Sequence, residues 1–115
     1  MKIILASKSG VRKNILEKNN FDCFVVPSNV DEDQVKDSLL AAGANPMLVS
    51  KNLAELKSVK VSNKYPDQIV LGADSVVSLN NQLLNKPKSR EEALEILKKL
   101  NGSTHFLITS VCISK

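Results

Sequence analysis

Residues 68–78 read Gln-Ile-Val-Leu-Gly-Ala-Asp-Ser-Val-Val-Ser. No other stretch constrains the fold as much. The run is too short for a membrane span and rich in Val and Ile, which predicts a strand buried on both faces of a covered sheet. Its middle holds Gly72 and Ala73, the two smallest residues, followed by the carboxylate of Asp74. A lone ionised Asp among apolar neighbours is costly unless a cation or a set of donors meets it. The small residues let another group approach the backbone just before that carboxylate. Asp74 is therefore the first candidate for chemistry. An Asp that caps a bend where the strand leaves the core would give the same pattern, and the run alone leaves both readings open.

A chain of 115 residues is one domain, 1–115, with a modest core. Apolar residues at 43% and charged residues at 24% are ordinary for a globular protein, so disorder and membrane classes are excluded on composition. Lys2 is followed only by Ile3-Ile4-Leu5-Ala6 before polar residues resume, which is not a signal-peptide layout and points to the cytoplasm. Cys23 and Cys112 lack metal-site spacing and read as buried free thiols. A net charge of +4 favours anionic partners. Aromatics make up only 3% of the chain, a poor supply for stacking single-stranded nucleic acid.

In chain order, Lys2–Ala6 predicts a short strand. A tight turn at Ser7–Gly10 and a helix from about Val11 to Lys18 follow, with Val11, Ile15 and Leu16 inward and Ser9 as N-cap. Arg12 stands where a capping-box acid belongs, with Lys13 next to it. Cations oppose the dipole there unless a phosphate binds, and a solvated basic turn is the competing reading. Phe21–Val26 predicts a second strand, ended by Pro27. The loop after it carries Asp31, Glu32 and Asp33, acids that suit either a helix start or a magnesium site. Helices are expected over about Gln34–Ala42 and from Asn45-Pro46 to Val61, the second with Val49, Leu53 and Leu56 on its inner stripe. The central strand ends in a hairpin at Asn80-Asn81, and Asn85-Lys86-Pro87 closes it. Ser89-Arg90-Glu91-Glu92 opens a helix whose buried stripe is Ala93, Ile96, Leu97 and Leu100, and a last strand covers Thr104–Ser114. Mixed helices and strands throughout give an α/β class.

Together these pieces resemble the Maf family of cytoplasmic nucleoside triphosphate pyrophosphatases. The matching parts are Leu5-Ala6-Ser7-x-Ser9-x-x-Arg12, Pro27-Ser28-x-Val30-Asp31-Glu32 and Leu53-Ala54-x-x-Lys57. They continue with Leu71-Gly72-Ala73-Asp74-Ser75-Val76-Val77, Lys86-Pro87 and Asn101-Gly102-x-Thr104-His105. The resemblance implies a mixed-sheet α/β fold of the Maf and inosine-triphosphatase type. It implies hydrolysis of a nucleoside triphosphate to the monophosphate and pyrophosphate with magnesium or manganese. By position, Ser7 and Arg12 correspond to phosphate-contacting residues, with Lys13 nearby, while Glu32 and Asp74 form the acidic pair for metal and water. Asp74 then takes the role of general base, and Lys57 and Lys86 hold the triphosphate and its developing charge.

Two departures accompany the resemblance. The family usually writes Ser-Pro-Arg-Arg in the first loop, whereas Gly10 and Val11 replace the proline and first arginine here. Family members also continue past the last strand into a portion that completes sheet and cleft, so these residues are expected to be an N-terminal portion that lacks it. A homodimer, or pairing with that missing half, is the expected assembly. The substrate implied is a pyrimidine nucleotide such as dTTP or UTP, a modified nucleotide, or 7-methyl-GTP. The alternative is a catalytically weak, nucleotide-binding or dimer-forming remnant. A basic RNA-binding module is disfavoured by the scarce aromatics and the lack of a nucleic-acid motif.

Overall fold

Capping chemistry sets where the helices begin. In the computed structural model, which describes residues 2–7, 10–80, 82–84 and 89–115, Asp31 Oδ1 accepts from the Gln34 amide at 3.1 Å. The helix therefore starts at Glu32, earlier than its apolar periodicity indicates, and Glu32 is a first-turn helical residue rather than part of a loop. Asn45 caps the next helix through the Leu48 amide at 2.8 Å, with Pro46 at the first helical position. Ser89 accepts from the Glu92 amide at 3.1 Å, the first half of the expected capping box. The Ser9 cap expected for the first helix lies outside the described residues.

The elements run β1 (Lys2–Leu5), α1 (Gly10–Lys18), β2 (Asp22–Val25), α2 (Glu32–Ala41), α3 (Pro46–Ser62), β3 (Val70–Leu79), β4 (Gln82–Leu84), α4 (Arg90–Leu100) and β5 (His105–Ser114). β1 lies parallel to both β2 and β3, pairing Lys2–Leu5 with Asp22–Val25 on one side and Ile4 and Leu5 with Val70 and Leu71 on the other. β5 runs antiparallel to β3 along its whole length, from Val70↔Ser114 to Leu79↔His105. β4 returns antiparallel over Val77–Leu79, and Leu79↔Gln82 is the register of a two-residue hairpin. Asn80 takes the left-handed conformation such a turn needs, with φ +52°; Asn81 lies outside the described residues. The result is the expected α/β class with a mixed sheet.

A strand has two hydrogen-bonding edges. Because β5 fills one edge of β3 completely, β1 and β4 share the other, at Val70–Leu71 and Val77–Leu79. No described strand pairs with residues 72–76 on that edge. The order β2-β1-β3 also reverses direction at β1: the chain leaves β1 toward β2, then returns on the far side to β3. In open α/β sheets the crevice beyond the carboxyl ends of the strands at such a reversal is where ligands bind.

The core lies between β3, β1 and α3. Ile4, Ala6, Val61 and Val70 form its apolar centre, with Val26 packed against them. The inner stripe of α3 is Val49, Ser50, Leu53, Ala54, Lys57, Ser58 and Val61. Leu56, expected on that stripe, is exposed instead. Small residues let α3 settle onto β3: Ser58 Oγ donates to the Val70 carbonyl at 3.2 Å, and Ser50 Oγ donates to the Asp74 carbonyl at 3.0 Å.

Other burial expectations change. β3 is fully buried only on the face toward α3; Leu71, Ser75, Val77 and Leu79 on its other face are half-buried. On β5 that same face leaves Leu107, Val111 and Ile113 exposed. Val11 and Ile15 of α1 are exposed, and Leu16 is half-buried. In α4, Ala93, Ile96 and Leu100 are half-buried and Leu97 is exposed. Apolar periodicity identified these helices correctly, but nothing among the described residues covers their stripes fully. Cys23 and Cys112 are free thiols, half-buried rather than buried. Among the described residues, no helix is long and apolar enough to cross a membrane.

Gly72 controls the approach of α3. A Cβ there would lie 2.3 Å from the Ala54 carbonyl oxygen and 2.7 Å from the Ser58 amide, both backbone atoms that cannot yield cheaply. Gly72→Ala should therefore cost about 3 kcal/mol of stability in urea denaturation. Gly10→Ala, which meets open space at the start of α1, should be neutral or stabilising by up to about 1 kcal/mol.

Candidate active site

Three segments deliver side chains to the crevice from the face that carries α3. Asp74 sits mid-strand in β3 and points toward α3, only 5% exposed. Lys57, one turn after Leu53 and Ala54, projects from the inner stripe of α3. Glu32 comes from the first turn of α2, held there by the Asp31 cap. The Lys57 ammonium bridges the two acids: Nζ pairs with Glu32 Oε1 and lies 3.2 Å from Asp74 Oδ1. It also donates to the Ala73 carbonyl at 3.4 Å, beside the segment of β3 that β1 and β4 leave unpaired. An ammonium has three N–H donors, and these three acceptors engage them all.

Among the described residues, two carboxylates meet at one ammonium. One oxygen of the acidic pair, Asp74 Oδ2, is buried without a hydrogen-bond partner. Buried polar atoms are normally satisfied, so an orphaned carboxylate oxygen marks a place where another group is accommodated. The pair suits a hard divalent cation such as magnesium or manganese. Magnesium is typically held by one or two carboxylates with the remaining positions filled by substrate phosphates and water. Among the described residues no group of three or more His, Cys, Asp or Glu could hold a metal, so Glu32 and Asp74 would share the ion with phosphate oxygens.

The opposite face of the sheet supplies a second cluster. Ser75 follows Asp74, and strand alternation turns its side chain to the other side. Arg12, in the first turn of α1, donates to Ser7 Oγ at 2.9 Å and to Ser75 Oγ at 3.3 Å. Ser75 Oγ in turn lies 2.8 Å from Thr109 Oγ1 on β5. Ser7 stands just past the carboxyl end of β1, so this cluster too meets the crevice.

Of the residues singled out in the sequence, the structure groups Glu32, Lys57 and Asp74 on one face and Ser7 and Arg12 on the other. Lys13 is placed elsewhere. Its ammonium lies 3.7 Å from Glu17 one turn along α1. Lys13 and Glu17 line an open groove of about 620 Å³ with Lys2, Asp22 and Phe24, at the amino ends of β1 and β2. Lys86 lies outside the described residues. Sequence reasoning missed Ser50, Ser75 and Thr109. Ser75 and Thr109 had a legible signal, a hydroxyl inside an apolar strand, but their pairing depends on the β3–β5 register.

The buried pair makes its own stability prediction. Lys57→Met strands Asp74 without its counter-charge and should cost about 3 kcal/mol in urea denaturation. In an Asp74→Asn background no buried carboxylate is stranded, since Glu32 is partly exposed, and the same substitution should cost much less. Equal costs in both backgrounds would mean that Lys57 acts through packing alone.

Comparison with known proteins identifies the family of the chain. Residues 2–115 match the family described as Maf-like protein. The chain is 64% identical over 113 residues to a nucleoside triphosphate pyrophosphatase of Pelagibacter ubique, covering 98% of this chain and 58% of that protein. It is 41% identical over 112 residues to a dTTP/UTP pyrophosphatase of Pyrococcus furiosus, covering 97% of this chain and 55% of that protein. A 7-methyl-GTP pyrophosphatase of Brucella abortus is 35% identical over 115 residues, covering 100% of this chain and 58% of that protein. The chain thus spans between half and two thirds of the length of these relatives. With a family match along nearly all of its length, the chain belongs to the Maf family.

Proposed function

We propose that this chain carries the catalytic face of a nucleoside triphosphate pyrophosphatase. Water attacks the α-phosphorus of the nucleotide, the bond from that phosphorus to the bridging oxygen breaks, and the monophosphate and pyrophosphate are released. The observation that carries this reading is the buried Asp74, with one oxygen on Lys57 and the other without a partner. Oδ2 accepts the proton of the attacking water, and Lys57 holds the carboxylate oriented for that task. Glu32 and Asp74 would hold a divalent cation, which when bound would supply Lewis-acid polarisation of the phosphate oxygens.

Arg12 binds phosphate from the opposite face, where its planar fork matches two oxygens at once. Lys86 is assigned to the phosphates by the family resemblance. Lys57 has three acceptors already, so it touches the triphosphate only by exchanging one of them. Its contact with Glu32, the more exposed acid, is the one to yield. The relatives' names make dTTP, UTP and 7-methyl-GTP the substrates to test first. A partner covering the exposed Leu107, Val111 and Ile113, whether a second copy or a polypeptide supplying the rest of the family's length, belongs to the same proposal. The cytoplasm is its expected location.

Pyrophosphate release from those nucleotides, with and without magnesium, tests the reading. Asp74→Asn should lower turnover by about 10² to 10⁴ while leaving the fold intact. Turnover within a few-fold of the parent chain would remove Asp74 from the chemistry. Nucleotide binding without any turnover would favour the catalytically weak alternative. Arg12→Ala should weaken nucleotide affinity more than Lys13→Ala, because Arg12 faces the crevice and Lys13 faces Glu17. A larger effect at Lys13 would transfer the phosphate role to the other end of the sheet.

A further inference from the structure

Thr109 has no part in the reading above, yet it ends a chain of hydrogen bonds that starts at the phosphate-binding arginine. Arg12 donates one arm of its guanidinium to Ser7 and the other to Ser75. Donor and acceptor roles along the chain follow from chemistry. A guanidinium only donates, so Ser75 Oγ accepts from it. The neighbouring positive charge polarises the Ser75 O–H and favours its donating onward, and the atom within reach is Thr109 Oγ1 at 2.8 Å. The order is therefore Arg12 to Ser75 to Thr109. Ser75 and Thr109 are directly opposed in the β3–β5 ladder, so backbone pairing fixes their separation before either side chain is placed.

We propose that Thr109 is a positioning residue for Arg12, acting through the Ser75 hydroxyl, and that it sets the direction in which the guanidinium fork meets phosphate. Arginine is a long side chain with much rotamer freedom to lose on binding. The hydroxyls of Ser7 and Ser75 remove part of that freedom beforehand. Ser7 belongs to the loop after β1, and α1 covers little with its exposed Val11 and Ile15. The firm reference point is the ten-pair β3–β5 ladder. Without the Thr109 acceptor, the Ser75 hydroxyl is free to rotate, and the arm of Arg12 nearest β3 loses its fixed direction.

This inference rests on the assignment of Arg12 to phosphate, and the test separates the two. Binding of inorganic tripolyphosphate is measured by titration calorimetry on the full chain, so no turnover is needed. Thr109→Val keeps the shape and removes the hydroxyl. It should weaken binding by about three- to tenfold, with an unchanged melting temperature, and Thr109→Ser should restore affinity. In an Arg12→Ala background, Thr109→Val should have no further effect. If the parent chain binds tripolyphosphate and Arg12→Ala weakens it while Thr109→Val stays within twofold, the positioning role is overturned and the phosphate assignment stands. Additive losses in the double variant would also overturn it. If Arg12→Ala has no effect on binding, the phosphate assignment and the positioning role fall together.

Discussion

The close seating of α3 on β3 is the contact on which the rest depends. Gly72 makes it possible, because the Ala54 carbonyl and the Ser58 amide occupy the space a side chain would need. Ser50 and Ser58 then bond to main-chain carbonyls of β3 at both ends of the shared stretch. At this short range a lysine on the inner face of α3 cannot reach solvent directly and ends among the carbonyl of Ala73 and the carboxylate of Asp74. A larger residue at position 72 would lift the helix and with it the ammonium. Packing and electrostatics in this protein are therefore one arrangement, set by the absence of a single side chain.

That arrangement is not explained by stability. A buried ion pair recovers its desolvation cost only with excellent geometry, and replacing it with well-packed apolar groups is often neutral or stabilising. Here the pair is also left with an orphaned carboxylate oxygen. Strained or unsatisfied features of this kind concentrate where a site has a task. The crevice has two poles: the α3 face gathers carboxylates around one ammonium, and the α1 face presents a guanidinium held by neutral hydroxyls. The metal-bound polyphosphate proposed as ligand would have a matching asymmetry of charge. Both poles open at the reversal of strand order, where the carboxyl ends of β1 and β3 separate.

Much of this was legible in the sequence, because its strongest signals are local. The strand around Asp74, the Asn45-Pro46 start of α3 and the Ser89 cap are decided by neighbouring residues, and the structure bears each of them out, though the strand is fully buried on one face rather than two. Tertiary context decided the rest. The inner stripe of α3 was misjudged at Leu56 because Lys57 and Ser58 are buried by what lies across from them, which periodicity cannot report. Burial of α1 and α4 was overestimated for the complementary reason: an apolar stripe predicts a helix face, not the presence of something to cover it. Glu32 was read as a loop acid because apolar spacing starts later than the Asp31 cap does. Thr109 is distant from Ser75 in sequence, and only the ladder register joins them.

Helical geometry also separates the two cations at the start of α1, since successive residues on a helix point about 100° apart. Arg12 is directed across the sheet to Ser75, while Lys13 turns toward Glu17 and the groove at the other end of β1. The family's usual arginine at the preceding position is replaced by Val11, which stands 70% exposed. Lys13 is a point charge facing the wrong way and cannot substitute for it. For the phosphate contact proposed for Arg12, the fork gains from being held in a fixed direction. The hydroxyls of Ser7 and Ser75, anchored on the end of β1 and on the β3–β5 ladder, are the physical means by which that direction is kept.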